Sequence, residues 1–380
     1  MKANAFAVLV LACVSLNASA ARADEFKVYG AVDASLMYQS QNRKLSMQSS
    51  GTKSTFLGFR GSKKMPLDWL EAGFVFEAAF AVDNGTGSPS NLNNTADTAN
   101  PKCTVTGAPG ATCTVSNDAA QGIVFQRESR IRFLLGRGNE PEAPNAAGKR
   151  HQLSLGRYYT PAYANLAKFS GLFGVTGVGS PLTLGSASQG PTAIRASNSI
   201  SYLSPSLYGL SFSAMYALGE RGFFEDGDLL GGQMAFDRGA IHFGTALQYT
   251  KHAAADVGVA SMGASVALGP VTLAALGQYT KLFAQVPWFA TYAHFQGSLK
   301  VSHEGTVQLA ADWLEVRHLR DDSGQFTAGY KQDVSKDLSL YAKAGYVMNL
   351  GKAVNRSPGT AELAAGQDAL ATSIGATLLF

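Results

Sequence analysis

The chain reads as an all-β protein that crosses a membrane with strands, and three observations predict it. Polar and apolar residues alternate with period two from one end of the sequence to the other. No later run approaches the about 18 consecutive apolar residues that a spanning helix needs, although the N-terminus reads as an export leader. The chain also stops in mid-strand on an aromatic residue, "SIGATLLF", ending at Phe380.

The leader comes first. Lys2 supplies a short positive region, "AFAVLVLACVSL" is an apolar run too short to span a bilayer, and "ASAARA" offers small-x-small cleavage sites. Residues 1–23 are therefore expected to be a signal peptide, and 24–380 a single barrel domain. Removing Lys2 and Arg22 lowers the formal charge of +4 to +2. That near-neutral balance gives no ground for nucleic-acid binding. The composition (41 Gly, 13 Pro, 21 Phe and 14 Tyr) suits an exported, aromatic-rich β protein.

The strands follow in order. In Phe26–Tyr38, Phe26, Val28, Val32 and Leu36 share one face, and Lys27, Asp33 and Ser35 the other. In Leu70–Phe80, Leu70, Phe74 and Phe76 oppose Glu71, Gly73 and Glu77. The same pattern recurs in "HQLSLGR", "NSISYL", "LSFSAMYAL", "IHFGTALQYT", "VTLAALGQYT", "GTVQLAADWLEV", "QFTAGYKQDV" and "LSLYAKAGYVMNL". Roughly fourteen to sixteen strands result, more than a soluble sandwich carries. A closed barrel accommodates them, because closure satisfies every backbone group in lipid. It also makes the first and last strands neighbours. Connections alternate between tight turns, such as "DVSKDLSL" and "SPSLYGL", and long polar loops, of which 82–122 is the longest. Tyr38, Tyr202, Tyr249, Tyr279, Tyr330 and Tyr346 sit near strand ends, as interfacial girdles would. Cys103 and Cys113, inside that loop, form an even pair in an oxidising compartment and are expected to be bonded; a metal pair is the alternative reading.

"QRESRIRF" (Gln126–Phe133) is a strand pattern bearing three arginines. A dry core could not absorb them. The water-facing side of a barrel could, and there each charge acts strongly on passing ions. Alternation turns Arg130 and Arg132 inward, opposite Ile131, Phe133 and Leu135. It turns Arg60 inward too, opposite Leu57 and Phe59. Arg157 shares the parity of Leu153 and Leu155, which points it outward, toward a subunit contact.

Taken in order, "KVYGAVDASLMY", "STFLGFRGSKKM", "VFEAAF", "FQRES", "LSLGRYYTPAY", "RASNSISYLSPSLYGLSFSAMY" and "FTAGYKQDVSKDLSLYAKAGYVMNLG" resemble the trimeric general diffusion porins of Gram-negative outer membranes, of β-proteobacterial type. The resemblance implies an all-β, 16-stranded antiparallel transmembrane β-barrel and a homotrimer in the cell outer membrane. It implies contact with outer-membrane lipids, lipopolysaccharide and the barrel assembly machinery, and no cofactor. It implies passive diffusion of small hydrophilic solutes through a channel narrowed by loop three folded into the lumen, here 159–195, after "GRYYTPAY". "GFRG" matches the family's wall-arginine motif at Arg60, and "RES" favours Arg127 as a pore residue. A bulge, or burial of one face at the trimer contact, would reconcile Arg127 with Arg130 and Arg132.

Two departures carry information. Family loop three usually bears acidic residues, yet no Asp or Glu occurs from His151 through Gly219, where Lys168 and Arg195 are found. A basic constriction of Arg60, Arg127, Arg130, Arg132, Lys168 and Arg195 follows, against acidic wall residues Glu71 and Glu77, with Glu128 as a further counter-charge. Inorganic anions are the expected preferred ions. The C-terminus lacks the basic residues that often precede the family's final Phe, though Phe380 keeps the position of the assembly signal. Three rivals remain: a solute-specific channel using loop aromatics such as Phe169 and Phe173, a barrel enzyme, and an adhesin with no open pore. Neither GxSxG nor HExxH occurs, which argues against the enzyme.

Overall fold

The computed structural model describes residues 25–87, 94, 124–138, 148–185, 194–219, 225–252, 255–283, 288–317, 321–357 and 362–380. The leader and Cys103 and Cys113 lie outside the described residues, as does most of 82–122 and part of 159–195.

The strands are β1 (Glu25–Gln39), β2 (Lys44–Ser49), β3 (Phe56–Lys64), β4 (Leu70–Ala79), β5 (Glu128–Leu135), β6 (His151–Tyr159), β7 (Arg195–Leu203), β8 (Leu210–Ala217) and β9 (Leu229–Arg238). They continue as β10 (Ile241–Thr250), β11 (Asp256–Leu268), β12 (Val271–Phe283), β13 (Trp288–Lys300), β14 (Gly305–Arg317), β15 (Ser323–Asp333), β16 (Leu338–Asn349) and β17 (Ala369–Leu379). Among the described residues, two helical segments, α1 (Pro161–Lys168) and α2 (Leu182–Gly185), lie between β6 and β7. Neighbouring strands pair antiparallel in one sheet, and β1 pairs β17 over Ala31–Gln39 to close it.

Seventeen strand segments make sixteen staves. The upper half of β1 (Ala34–Gln39) pairs with β2 and its lower half (Glu25–Ala31) with β3. β2 and β3 are therefore two halves of one stave, interrupted at residues 50–55.

Period-two alternation sets the faces. Leu247, Met262, Phe326 and Ile374 are exposed on the outer face, while Gln248, Ser261, Gln325 and Ser373 are buried on the inner one. Tyr38, Tyr249, Tyr279 and Tyr346 are exposed near one rim and Tyr330 near the other. One stretch of wall departs from the apolar-out, polar-in expectation. Val257, Val259, Leu276 and Leu314 of β11, β12 and β14 face inward and are buried, because Leu166 and Phe169, from the segment between β6 and β7, cover them.

The interruption is held by one carboxylate. Asp33, on the inner face of β1, is fully buried. It accepts from the backbone N–H of Gly51 (2.7 Å), Thr52 (2.9 Å) and Lys53 (3.0 Å). It also accepts from the hydroxyls of Thr52 (2.8 Å), Tyr341 of β16 (2.7 Å) and Thr377 of β17 (2.7 Å). Bonds to a charged acceptor are stronger than neutral ones, and removing it strands several buried donors at once. Asp33→Ala is expected to lower the unfolding free energy by about 2–4 kcal/mol in urea titrations of the refolded barrel, with Asp33→Asn losing less; equal stability of all three proteins would refute the role.

Candidate functional site: a basic wall facing a pinned loop

The inner face of β1 and β3–β7 carries two rungs of charge set by strand register. Lys27, Arg60, Val75, Arg130 and Gly156 follow one another across five strands, and Ser62, Gly73, Arg132, Ser154 and Ser201 form the next row. The expected inward parity of Arg60, Arg130 and Arg132 matches this placement. The β4–β5 register is regular from Leu70↔Leu135 to Glu77↔Glu128, so no bulge is needed there. Arg127 precedes β5 and folds its guanidinium into the lumen over the Phe56 ring, 4.4 Å from the centroid.

Each inner arginine is held in its own way. Arg60 lies over the Tyr29 ring at 5.4 Å. Arg127 Nε donates to Glu77 (3.1 Å), whose other oxygen accepts from the Tyr29 hydroxyl at 2.8 Å. Arg130 Nε donates to Glu128 (2.9 Å), Nη1 donates to Ser154 (2.8 Å), and the guanidinium stacks 4.0 Å over Tyr158. Arg127 and Arg195 both donate to the Tyr159 hydroxyl at 3.1 Å. Glu77 and Glu128 stand directly opposite each other across β4 and β5. Like charges so placed repel, and Arg127 and Arg130 relieve that repulsion.

Near the turn end the wall opens into a cavity of about 910 Å³ bordered by Lys27, Arg60, Lys64, Glu71, Arg132 and Arg150. Glu71 accepts from Arg150 at 2.9 Å, and Glu25 pairs with Lys27 at 2.9 Å. Leaving aside Arg157 and Asp33, which is taken up by the β2–β3 interruption, the wall holds eight cationic groups (Lys27, Arg60, Lys64, Arg127, Arg130, Arg132, Arg150 and Arg195) against four carboxylates (Glu25, Glu71, Glu77 and Glu128). Its formal charge is +4.

Lys168, counted in the expected basic constriction, has its ammonium clamped by both oxygens of Asp237 at 2.5 and 2.7 Å. Arg157 stands opposite Ser129, in the row of Ile131 and Leu155, and the pairing with β7 shifts beside it, with three steps of β7 (Ala196 to Ser199) against two of β6 (Gly156 to Tyr158). Gly156 takes φ +132°, where a Cβ would lie 2.2 Å from the Ser129 carbonyl oxygen. The Arg157 side chain is 9 % exposed and bonds the Gln126 carbonyl (2.5 Å) and the Ser197 hydroxyl (2.9 Å) of its own chain.

The segment between β6 and β7 lies against the opposite wall. Thr160 caps α1 by accepting from the Tyr163 N–H, and Pro161 starts the helix. Ala162 N–H reaches Gln248 (3.3 Å) and Asn165 reaches Ser261 (2.9 Å). Phe169 is 1 % exposed and sits where a Cβ on Gly263 would lie 2.4 Å from its ring. Beyond it, Leu172 N–H meets Gln308, Gln325 meets the Ser180 carbonyl and Gln278 the Gly185 carbonyl. Lys343 of β16 donates to the carbonyls of Gly51 and Thr176, tying this segment to the interrupted stave. Burial pushes the Tyr163 phenol above its ordinary value, with neighbouring Tyr159 adding to the shift, so the segment carries no phenolate near neutrality. Asp33 of β1 and Asp312 of β14 are both buried.

Lys27 and Asp33 were legible as members of the polar face of β1. The aromatic supports Tyr29, Tyr158 and Tyr159 were not, since only the folded register brings them under the guanidiniums. Phe380 closes the seam by exchanging backbone bonds with Gly30, at 2.9 and 3.2 Å. Asn94, from the long loop, bonds the Leu218 and Gly227 carbonyls and accepts from Ser197 N–H, which fixes that point of the loop to its own barrel.

Residues 145–352 match a family described as Gram-negative porin. Outer membrane porin protein 32 of Delftia acidovorans is 24 % identical over 360 residues, which covers 90 % of this chain and 89 % of that protein. Among solved structures, the chain is similar to an anion-selective porin from Comamonas acidovorans, with a TM-score of 0.73 at 23 % identity over 94 % of this chain and 99 % of that one. It is also similar to OmpT of Vibrio cholerae in its trimer form, with a TM-score of 0.61 at 14 % identity over 94 % and 100 %. At such identities the structural likenesses speak for the fold.

Phe169→Ala is expected to remove about 3 kcal/mol of packing between the segment and the wall. Amide hydrogen exchange over Pro161–Gly185 should then quicken by about two orders of magnitude while the barrel strands stay protected. Unchanged exchange would mean the polar contacts alone hold the segment.

Proposed function

Since the chain belongs to the Gram-negative porin family, we propose that it forms a water-filled outer-membrane channel for passive diffusion of small hydrophilic solutes, with a preference for inorganic anions. The observation that carries this reading is the imbalance of the lumen: eight cationic groups against four carboxylates on one wall, and a facing segment without an acidic residue. In a narrow, partly low-dielectric passage, fixed charge raises the local concentration of counter-ions and repels co-ions. Arg60 and Arg132 border the open cavity and carry most of the effect, while Arg127 and Arg130 are partly offset by Glu77 and Glu128.

The segment 159–195 acts in this proposal as the constriction. Its footing against the wall narrows the lumen, and the basic wall provides the other side of the gap. Lys168 contributes no net field, because Asp237 matches it. The solute-specific alternative is less well supported: Phe169 and Phe173 are buried against the wall, which leaves their rings no free face on which a passing ligand could stack. Homotrimer formation and passage through an N-terminal leader belong to the same proposal, as does recognition of Phe380 by assembly machinery. The trimeric neighbour supports the first of these.

The test is the zero-current potential of the purified protein in a planar bilayer under a KCl gradient. Chloride preference is expected, weakening as salt rises toward about 1 M, where the Debye length shrinks to about 3 Å. The double variant Arg60→Glu, Arg132→Glu should lower the chloride-to-potassium permeability ratio several-fold or invert it. A potassium preference in the unaltered protein would overturn the anion reading, and absence of any conductance would overturn the channel itself.

A further inference from the structure

One cation lies outside the charges of the basic wall. Residues 50–55, which interrupt the stave between β2 and β3, bow toward the lumen, and their contacts fix that course. The backbone N–H groups of Gly51, Thr52 and Lys53 reach the Asp33 carboxylate on the inner face of β1. The Gly51 carbonyl accepts from Lys343 on the inner face of β16 at 2.5 Å. The segment between β6 and β7 comes down on the same bow. A Cβ on Gly177 would lie 2.1 Å from the Gly51 carbonyl oxygen, and one on Gly174 would lie 3.0 Å from that of Thr52.

Lys53 extends from this junction. Its backbone is held, yet the residue is exposed. Its ammonium feels the charge of Lys331 from one side and those of Arg127 and Glu77 from the other. Lys331 belongs to β15, which β16, β17 and β1 separate from β3. A charge that senses both groups stands out in the lumen between them. Its neighbours are already matched: Lys331 pairs with Asp333 at 2.8 Å, and Glu77 is taken by Arg127 and Tyr29. Among the described residues, no carboxylate lies within ion-pair distance of Lys53. The bow itself needs only the Lys53 N–H, which any residue but proline supplies. The ammonium is therefore spare, and a spare charge in a partly low-dielectric passage acts on ions. We propose that Lys53 is a selectivity-determining residue of the channel, its ammonium standing in the ion path beside the tip of the segment between β6 and β7 and across from Arg127, so that an anion passes with positive charge on two sides. This inference rests on the channel reading above.

The test replaces Lys53 in the full-length protein and reads the zero-current potential in a KCl gradient. Lys53→Met should lower the chloride-to-potassium permeability ratio about two- to five-fold, and Lys53→Glu should lower it further. Lys53→Arg should stay close to the unaltered protein. Lys53→Cys adds a readout that a merely structural role would not move. Aminoethyl methanethiosulfonate restores a positive charge there and should restore the ratio. The sulfonatoethyl reagent installs a negative one and should drive the ratio below that of Lys53→Met. The unaltered protein, treated alike, controls for Cys103 and Cys113. Equal ratios in the unaltered, Lys53→Met and Lys53→Glu proteins would overturn the inference, as would a Lys53→Cys channel indifferent to both reagents. Chloride preference that persists unchanged in all variants keeps the anion reading and removes Lys53 from it. Potassium preference in the unaltered protein sinks the anion reading, whereas a further shift toward potassium in Lys53→Glu still upholds the place of Lys53 in the ion path.

Discussion

Closure of the sheet is the constraint on which everything else rests. In lipid an unpaired backbone N–H or C=O costs several kcal/mol, so no strand edge can stay open. β1 meets this demand with three partners: β17 on one side, and β2 and β3 in succession on the other. The break between β2 and β3 would expose backbone donors inside the wall, and Asp33 takes up three of them while binding hydroxyls on β16 and β17. A buried carboxylate is tolerable only when its lone pairs are filled this completely. The same carboxylate thus completes a broken stave and fastens the seam.

From that seam the inner architecture divides in two. On one side Lys343 and a belt of apolar inward residues give the segment between β6 and β7 a footing. A lumen wall that is greasy in a water-filled barrel makes sense only because something covers it, and Leu166 and Phe169 do so. On the other side the wall is left open and charged. Crowding so many guanidiniums together would be prohibitive in a dry interior. Here water, aromatic faces and two facing glutamates share the load, and the surplus of positive charge is what remains for passing ions.

How much of this was legible follows from what period-two alternation encodes. Alternation states which face a residue occupies, so it placed Arg60, Arg130 and Arg132 inward, and it made β1 and β17 neighbours once the last strand ran to Phe380. It fails where the register breaks. Beside Arg157 the pairing with β7 shifts by one residue, and nothing local in "LGRYY" announces it. Lys168 was counted in the basic constriction, and its partner, Asp237, lies 69 residues away in sequence, beyond any local pattern. Phe169 and Phe173 could be read either as ligand platforms or as anchors until glycines on strands far along the chain were seen to receive them. The sequence by itself determined the barrel and the inward faces, because these depend on local pattern and composition. Only the tertiary structure decided which charges are cancelled and how the segment after β6 is held, because those depend on contacts between strands that the chain brings together only on closing.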